Sequence, residues 1–291
     1  MTDGPRYATA AAFRAALEAR LPRLARDEAT DLQRLRRQLA FDRLLARVFG
    51  SGDAKWALKG GYAMEVRLRE ARTTKDLDLA LLTADGLPET TGVLPDRLRA
   101  SLQEAAARDL SDYFEFLVAA PVLEIDAAPY GGARFPIECR LAGRTFVRFH
   151  LDVGVGDVLL KPVEVILGRD WLSFAGVSPP LLLLVPREQQ FAEKIHAYTL
   201  PDRPTPNSRV KDLVDLVLLI QRFPLSPERV LQAIDLTFQR RGTHGPPKEL
   251  TPPPHSWAKP FAKLAGETGL KLDVQGAFEV ARDYYERHIA A

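Results

Sequence analysis

The 291-residue chain has a single cysteine, Cys139, and five histidines. A lone thiol excludes an intramolecular disulfide framework and a thiolate metal cluster, and it points to a reducing, cytoplasmic setting. The histidines show no metal-ligand spacing. His150 and His196 read as packed or hydrogen-bonded side chains, and His244 and His255 flank a proline-rich stretch without a partner. Long hydrophobic runs are also missing. Pro179–Pro186, with four leucines and a valine between prolines, is far too short to span a bilayer, and Met1 to Ala10 lacks an apolar signal core. No membrane partner is expected. An excess of one charge is absent too, because 40 Lys+Arg face 38 Asp+Glu. A nucleic-acid partner would therefore need a local basic face. The chain has no Walker-type glycine loop, no Gly-x-Gly-x-x-Gly and no Ser-His-Asp constellation.

What is present is enough apolar content, 46%, for one large or two modest cores. Thr9 to Phe49 reads as helices, with Phe13, Leu17, Leu21 and Leu24 and then Leu35, Leu39, Leu44 and Leu45 at helical spacing. Arg34, Arg36, Arg37, Arg43 and Arg47 between them read as a solvated face or a basic stripe, and Gly50 and Gly52 close the block. Trp56 to Gly61 followed by Tyr62 to Leu68 suggests strand, glycine turn, helix. Asp76 to Leu82 alternates like a strand, Pro95 to Ala107 is helical and Tyr113 to Val118 is strand-like. Phe135–Leu141 and Arg144–Val155 form a hairpin around Ala142-Gly143. The loop Gly168 to Pro180 leads into a proline-bounded linker, and from Arg187 the pattern turns helical, ending in a helix from Gln275 to His288. The expected division is 1–178, with the strands, and 179–291, mainly helical.

The strongest chemical signal is Lys59-Gly60-Gly61 followed, after fourteen residues, by Asp76-Leu77-Asp78. Carboxylates at i and i+2 on a strand share a face. A divalent cation resolves their repulsion, and Mg²⁺ takes one or two carboxylates plus substrate phosphates. Adjacent glycines let backbone N–H groups approach a triphosphate, aided by the following helix N-terminus. Taken alone, Asp-x-Asp also describes two acids on a water-facing strand; the glycines and Thr73-Thr74-Lys75 strengthen the other reading. A two-ion site calls for a third acid. Asp152 fits, since Arg148, His150 and Asp152 share one strand face; Asp157, after Gly156, competes as a turn residue. In the helical half, Lys194 lies beside Phe191, Ile195 and Tyr198, as a phosphate ligand or a snorkelling lysine. Asp212 and Asp215 share a helix face and can pair with Lys194 or Arg209.

In order and approximate spacing, Gly60-Gly61, Thr74-Lys75-Asp76-Leu77-Asp78, Glu193-Lys194-Ile195-His196 and Arg209-Val210-Lys211-Asp212-Leu213-Val214-Asp215 resemble the AbiEii/AbiGii nucleotidyltransferase toxins, which include the MenT type, in the DNA polymerase β-like superfamily. The resemblance runs from about Phe41 to Ile220. It implies an α+β fold with a mixed-sheet N-terminal lobe, a mainly helical C-terminal lobe and a cleft between them. It also implies transfer of a nucleoside monophosphate from an NTP to the 3′ end of tRNA, with a cognate antitoxin. Asp76 and Asp78, with Asp152, would hold Mg²⁺. Gly60, Gly61, Thr74, Lys75 and Lys194 would bind the nucleotide, and Asp212 would be the acid of the last motif. Arg134, Arg140, Arg144 and Arg148, with Arg209 and Lys211, could line a cationic cleft or be scattered surface arginines. Tyr62 departs from the family, which usually has Ser after the glycine pair. Transfer to a protein side chain or small molecule, or a non-catalytic nucleotide-binding module, are the competing readings.

Overall fold

The computed structural model describes residues 6–50, 55–68, 72–82, 94–124, 128–201 and 209–289. Gly52, singled out above, lies outside them. Packing divides the chain into two compact units. One holds the described residues of Met1–Tyr62, Thr74–Gly156 and Glu164–Leu184; the other holds those of Ala63–Thr73, Asp157–Val163 and Val185–Ala291.

The first unit is built on a mixed sheet. Its strands are β1 (Trp56–Lys59), β2 (Asp76–Leu81), β3 (Phe114–Val118), β4 (Leu123–Glu124), β5 (Gly132–Leu141), β6 (Arg144–Gly154), β7 (Glu164–Leu167) and β8 (Leu181–Leu184). They lie in the order β3-β5-β6-β2-β1-β8-β7, with β4 paired to β5. The pairs β2/β6 and β1/β8 are parallel and the others antiparallel. The expected β5–β6 hairpin is present. Ala142 and Gly143 at its turn both have positive φ, 51° and 70°, which suits the twist of paired strands. The linker expected at Pro179–Pro186 is instead strand β8, with Leu182 and Leu184 buried beside β1. Four successive leucines show no apolar–polar alternation, so the two-residue period was invisible there.

Helices α1 (Ala10–Asp27) and α2 (Leu32–Phe49) begin on side-chain caps, Thr9 accepting from the Ala12 amide and Asp31 from the Arg34 amide. After β1 comes α3 (Gly60–Arg67), and α4 (Leu94–Ala106) precedes β3. Phe41 of α2 meets Phe149 of β6 at 4.7 Å and Tyr62 at 4.8 Å, both edge to face. The helices thus cover the face of β6 that carries Phe149, Leu151 and Val153, and alternation sends His150 and Asp152 to the opposite face.

The second unit packs α5 (Arg187–Thr199), α6 (Val210–Arg222), α7 (Pro227–Arg241), α8 (Ala258–Thr268) and α9 (Val274–His288) around one core. Phe191 and Ile195 from α5, Leu213, Leu216 and Val217 from α6, and Phe261 and Tyr285 from α8 and α9 are all buried in it.

The arginines of α2 are not simply a solvated face. Arg43 and Arg47 are 4% and 1% exposed and converge on Asp112, which is fully buried. Arg47 donates to both Asp112 oxygens at 2.6 and 3.0 Å, Arg43 donates Nε–H at 2.6 Å, and Arg47 also reaches the Phe114 carbonyl at 2.8 Å. Burial alone would raise the Asp112 carboxyl. The hydrogen bond from Arg47 and the two guanidinium charges outweigh it and hold the group below its ordinary value. Replacing Asp112 with alanine strands two cations in the core, and urea unfolding should register a loss of ~3–5 kcal/mol. A midpoint within 0.5 kcal/mol of wild type, on the order of a surface change, would contradict this assignment.

Candidate active site

The parallel register of β2 and β6 sets the site. Asp76 lies opposite His150, and Asp78 opposite Asp152. Residues side by side in register point to the same face, so Asp76, Asp78 and Asp152 project together, away from the helical layer. Asp152 in turn lies opposite Arg134 of β5. Arg134 donates Nε–H and Nη2–H to the two Asp152 oxygens at 2.7 and 2.6 Å, and its Nη2 is 3.6 Å from Asp76. His150 Nδ1 is 3.5 Å from the other Asp76 oxygen. The sequence suggested Arg134 as one wall of a cationic cleft; the sheet places it among the acids. Two of its companions are also paired, Arg140 and Arg148 with Glu138 at 2.8 and 3.0 Å.

On the other side of β2, Lys59 lies opposite Asp78, and the chain turns into α3 at Gly60. Gly60 has φ +65°, and a Cβ built on it would fall 2.1 Å from Asp78 Oδ2. Its hydrogen is therefore what lets the Asp78 carboxylate lie against the turn. Gly61 follows, buried in the first turn of α3. Thr74 and Lys75 lead into β2, Thr74 partly buried and Lys75 exposed. Tyr62 takes a different course from the serine it replaces. Its hydroxyl donates to Asp42 at 2.6 Å, and Trp171 donates to the same carboxylate at 2.8 Å. Burial raises Asp42 to about 6 despite these bonds. Tyr62 is a core anchor, not a phosphate ligand.

The second unit brings Lys194, Asp212 and Asp215 together. The Lys194 ammonium sits 2.8 Å from Asp212 Oδ1 and 2.7 Å from Asp215 Oδ2, and Arg209 is 3.6 Å from Asp212. Arg72, which no motif singled out, takes both oxygens of fully buried Asp215 at 3.0 and 2.8 Å. Burial would lower the Lys194 ammonium, yet the carboxylates of Asp212 and Asp215 leave it raised. Of the other candidates, Asp157 is held by Arg241 at 3.1 Å. His196 bonds Thr243 at 2.9 Å and packs on Phe238 and His244, as a packed histidine does.

As they stand, no group of three or more His, Cys, Asp or Glu side chains among the described residues is arranged to hold a metal ion. Asp152 is engaged by Arg134 on both oxygens. The donor chemistry of Asp76 and Asp78 nevertheless fits Mg²⁺, which accepts two carboxylates and completes its shell from phosphates and water. The missing Cβ at Gly60 is what gives the Asp78 carboxylate its place beside the turn.

A family model described as the nucleotidyl transferase AbiEii toxin of type IV toxin–antitoxin systems matches residues 43–278. The chain belongs to the AbiEii nucleotidyltransferase toxin family. It is therefore a toxin-type nucleotidyltransferase, and its family works with a cognate antitoxin. No curated protein sequence matches it. Among solved structures, MenT4, a nucleotidyltransferase toxin from Mycobacterium tuberculosis H37Rv, shares the fold with a TM-score of 0.54 at 18% identity, over 91% of this chain and 98% of that one. JHP933 from Helicobacter pylori aligns with a TM-score of 0.44 at 16% identity, over 84% and 89%. No helix among the described residues is long and apolar enough to cross a membrane.

Two outcomes test this geometry. Gly60→Ala must accept a left-handed backbone and push against Asp78, so unfolding should show a loss of ~1–3 kcal/mol; an unchanged midpoint would remove the steric argument. Asp215 is subject to burial, which raises its carboxyl, but the charges of Lys194 and Arg72 hold it below its ordinary value. Its contribution is thus in place above about pH 3.9 and is lost as pH falls through the lower folded value. Asp215→Asn should flatten the acid limb of the stability–pH curve below that pH. An acid limb identical to wild type would overturn the linkage.

Proposed function

We propose that this toxin transfers a nucleoside monophosphate from an NTP to the 3′ end of tRNA in a Mg²⁺-dependent reaction, thereby blocking translation in the cytoplasm. The observation that carries the reading is the row of carboxylates on one sheet face, Asp78 in register with Asp152 and Asp76 one step along, beside a glycine turn that a side chain would close. Asp76 and Asp78 supply the hard oxygen ligands, and Asp152 becomes available to the same chemistry when Arg134 releases it. When bound, Mg²⁺ offsets phosphate charge and lowers the pKa of the attacking hydroxyl. The Gly60-Gly61 backbone and the α3 N-terminus offer N–H groups to the triphosphate, flanked by Thr74 and Lys75. Lys194 neutralises phosphate charge, with Asp212 and Asp215 holding its ammonium in place. Arg134 supplies a cation that, once free of Asp152, is available to phosphate oxygens.

The acceptor rests on the resemblance to the toxin branch, supported by a cation on the acid-bearing face, Arg148, which is 71% exposed. Incubation with total tRNA, Mg²⁺ and each α-³²P-labelled NTP in turn, beside Asp76→Ala, tests it. Label on tRNA that disappears in the variant is the expected result and identifies the NTP. Label that instead enters protein or a small molecule would replace tRNA as the acceptor, and no label from any NTP would sink the catalytic reading.

A further inference from the structure

The acid row continues into a cavity of about 730 Å³ contained within the first unit. Register places its lining. One step along the strands from Asp78, Asp152 and Arg134 lies the row Asp76, His150 and Pro136; one step further lies Arg148, Glu138 and Leu117. All of these line the cavity except the first row, and all project on the acid-bearing face. Lys75, Arg37 and Arg99 complete its rim with positive charge. Arg37 Nε is buried with no hydrogen-bond partner among the described residues. Arg99 is steadied by its bond to the Val118 carbonyl at 3.0 Å. Against these cations the floor offers apolar surface, Pro136 and Leu117, the latter 43% exposed.

An apolar floor, several cations and one end at a carboxylate row form a distinctive combination. Apolar surface suits a base or sugar face, and the cations suit phosphates. The volume falls in the range of single-ligand pockets, about 300–1,000 Å³, and so admits the end of a strand but not a duplex. Sheet order separates it from the other candidate subsite. The Gly60 turn lies on the β1 side of β2, whereas the cavity lies on the β6-β5-β3 side.

We propose that this cavity seats the terminal nucleotide of a single-stranded RNA acceptor, with Leu117 and Pro136 against its base or sugar. Arg148, Arg37 and Arg99 contact its phosphates. This delivers the terminal hydroxyl to the Asp76 end of the acid row, opposite the side from which the glycine turn meets the NTP. The assignment rests on the nucleotide-transfer reading above and adds the residues that select the acceptor.

The test uses the whole protein, with Arg148→Ala and Leu117→Ala. Arg148 is largely exposed, and Glu138 keeps Arg140 and Thr145 as partners without it, so both variants preserve the core. Fluorescence anisotropy with a 5′-labelled 12-nucleotide single-stranded RNA in EDTA should show binding weakened about tenfold by Arg148→Ala. Its salt slope should fall by about 0.7, as for one lost phosphate contact on a single strand. Leu117→Ala should weaken binding severalfold with the slope unchanged. A fluorescent NTP analogue with Mg²⁺ should bind both variants like wild type. RNA binding and tRNA labelling at wild-type levels in both variants would overturn the cavity assignment while leaving the transferase reading intact. Loss of NTP binding without loss of RNA binding would make the cavity a nucleotide subsite and overturn it equally. Absence of tRNA labelling by the wild-type protein itself would remove the transfer reading and this assignment with it.

Discussion

The arrangement of the first unit follows from one constraint, the parallel pairing of β2 with β6. Because side chains alternate with a period of two, that register commits Asp76, Asp78 and Asp152 to a single face. A one-residue slip of β2 would turn Asp76 and Asp78 toward the helical layer, away from Asp152, and expose Leu77 and Leu79. Apolar burial on one face therefore maintains charge crowding on the other. The neighbours answer that crowding. β5 contributes Arg134, the turn after β1 has a glycine that leaves Asp78 room, and the strands beyond supply a cationic and apolar surface.

Elsewhere the chain places charge in its interior only as closed sets. Arg43, Arg47 and Asp112 form one, and Lys194, Asp212, Asp215 and Arg72 another. Each joins segments remote in sequence, Arg47 to Asp112 and Arg72 to Asp215. Buried ion sets add little over well-packed hydrophobic residues, but a partner removed from one is expensive. Here they mark where α2 meets the start of β3 and where α5, α6 and the segment before β2 converge. In the second unit that bracing falls on Lys194 and Asp212, the side chains for which a part in phosphate binding is proposed.

Local regularities were legible in the sequence. Alternation through Arg148, His150 and Asp152 identified the face of β6, the Ala142-Gly143 turn announced the hairpin, and helical periodicity outlined α1, α2 and α9. What escaped depends on partners distant along the chain. Leu181–Leu184 has no polar position to reveal its strand period, and β7 becomes a strand by pairing with it. Arg134 and Arg148 look alike in sequence, yet only the first faces Asp152 across the β5–β6 ladder. Arg43 and Arg47 resemble any basic helix face until Asp112, some 65 residues on, is brought to them. Arg37 and Arg99 come from two helices and had no shared signal. The family resemblance supplied what periodicity could not, the joint meaning of Gly60-Gly61, Asp76-Leu77-Asp78 and Lys194.

Arg134 has a consequence for how the acid row responds to its surroundings. A guanidinium tethered one strand away faces Asp152 at an effective concentration set by the fold, not by the solution. One of the three carboxylate charges in the row is consequently balanced from within the sheet. Any ion or substrate that recruits Asp152 competes with a resident that never diffuses away, so its apparent affinity is lowered by a constant factor and half-occupancy moves to a higher concentration.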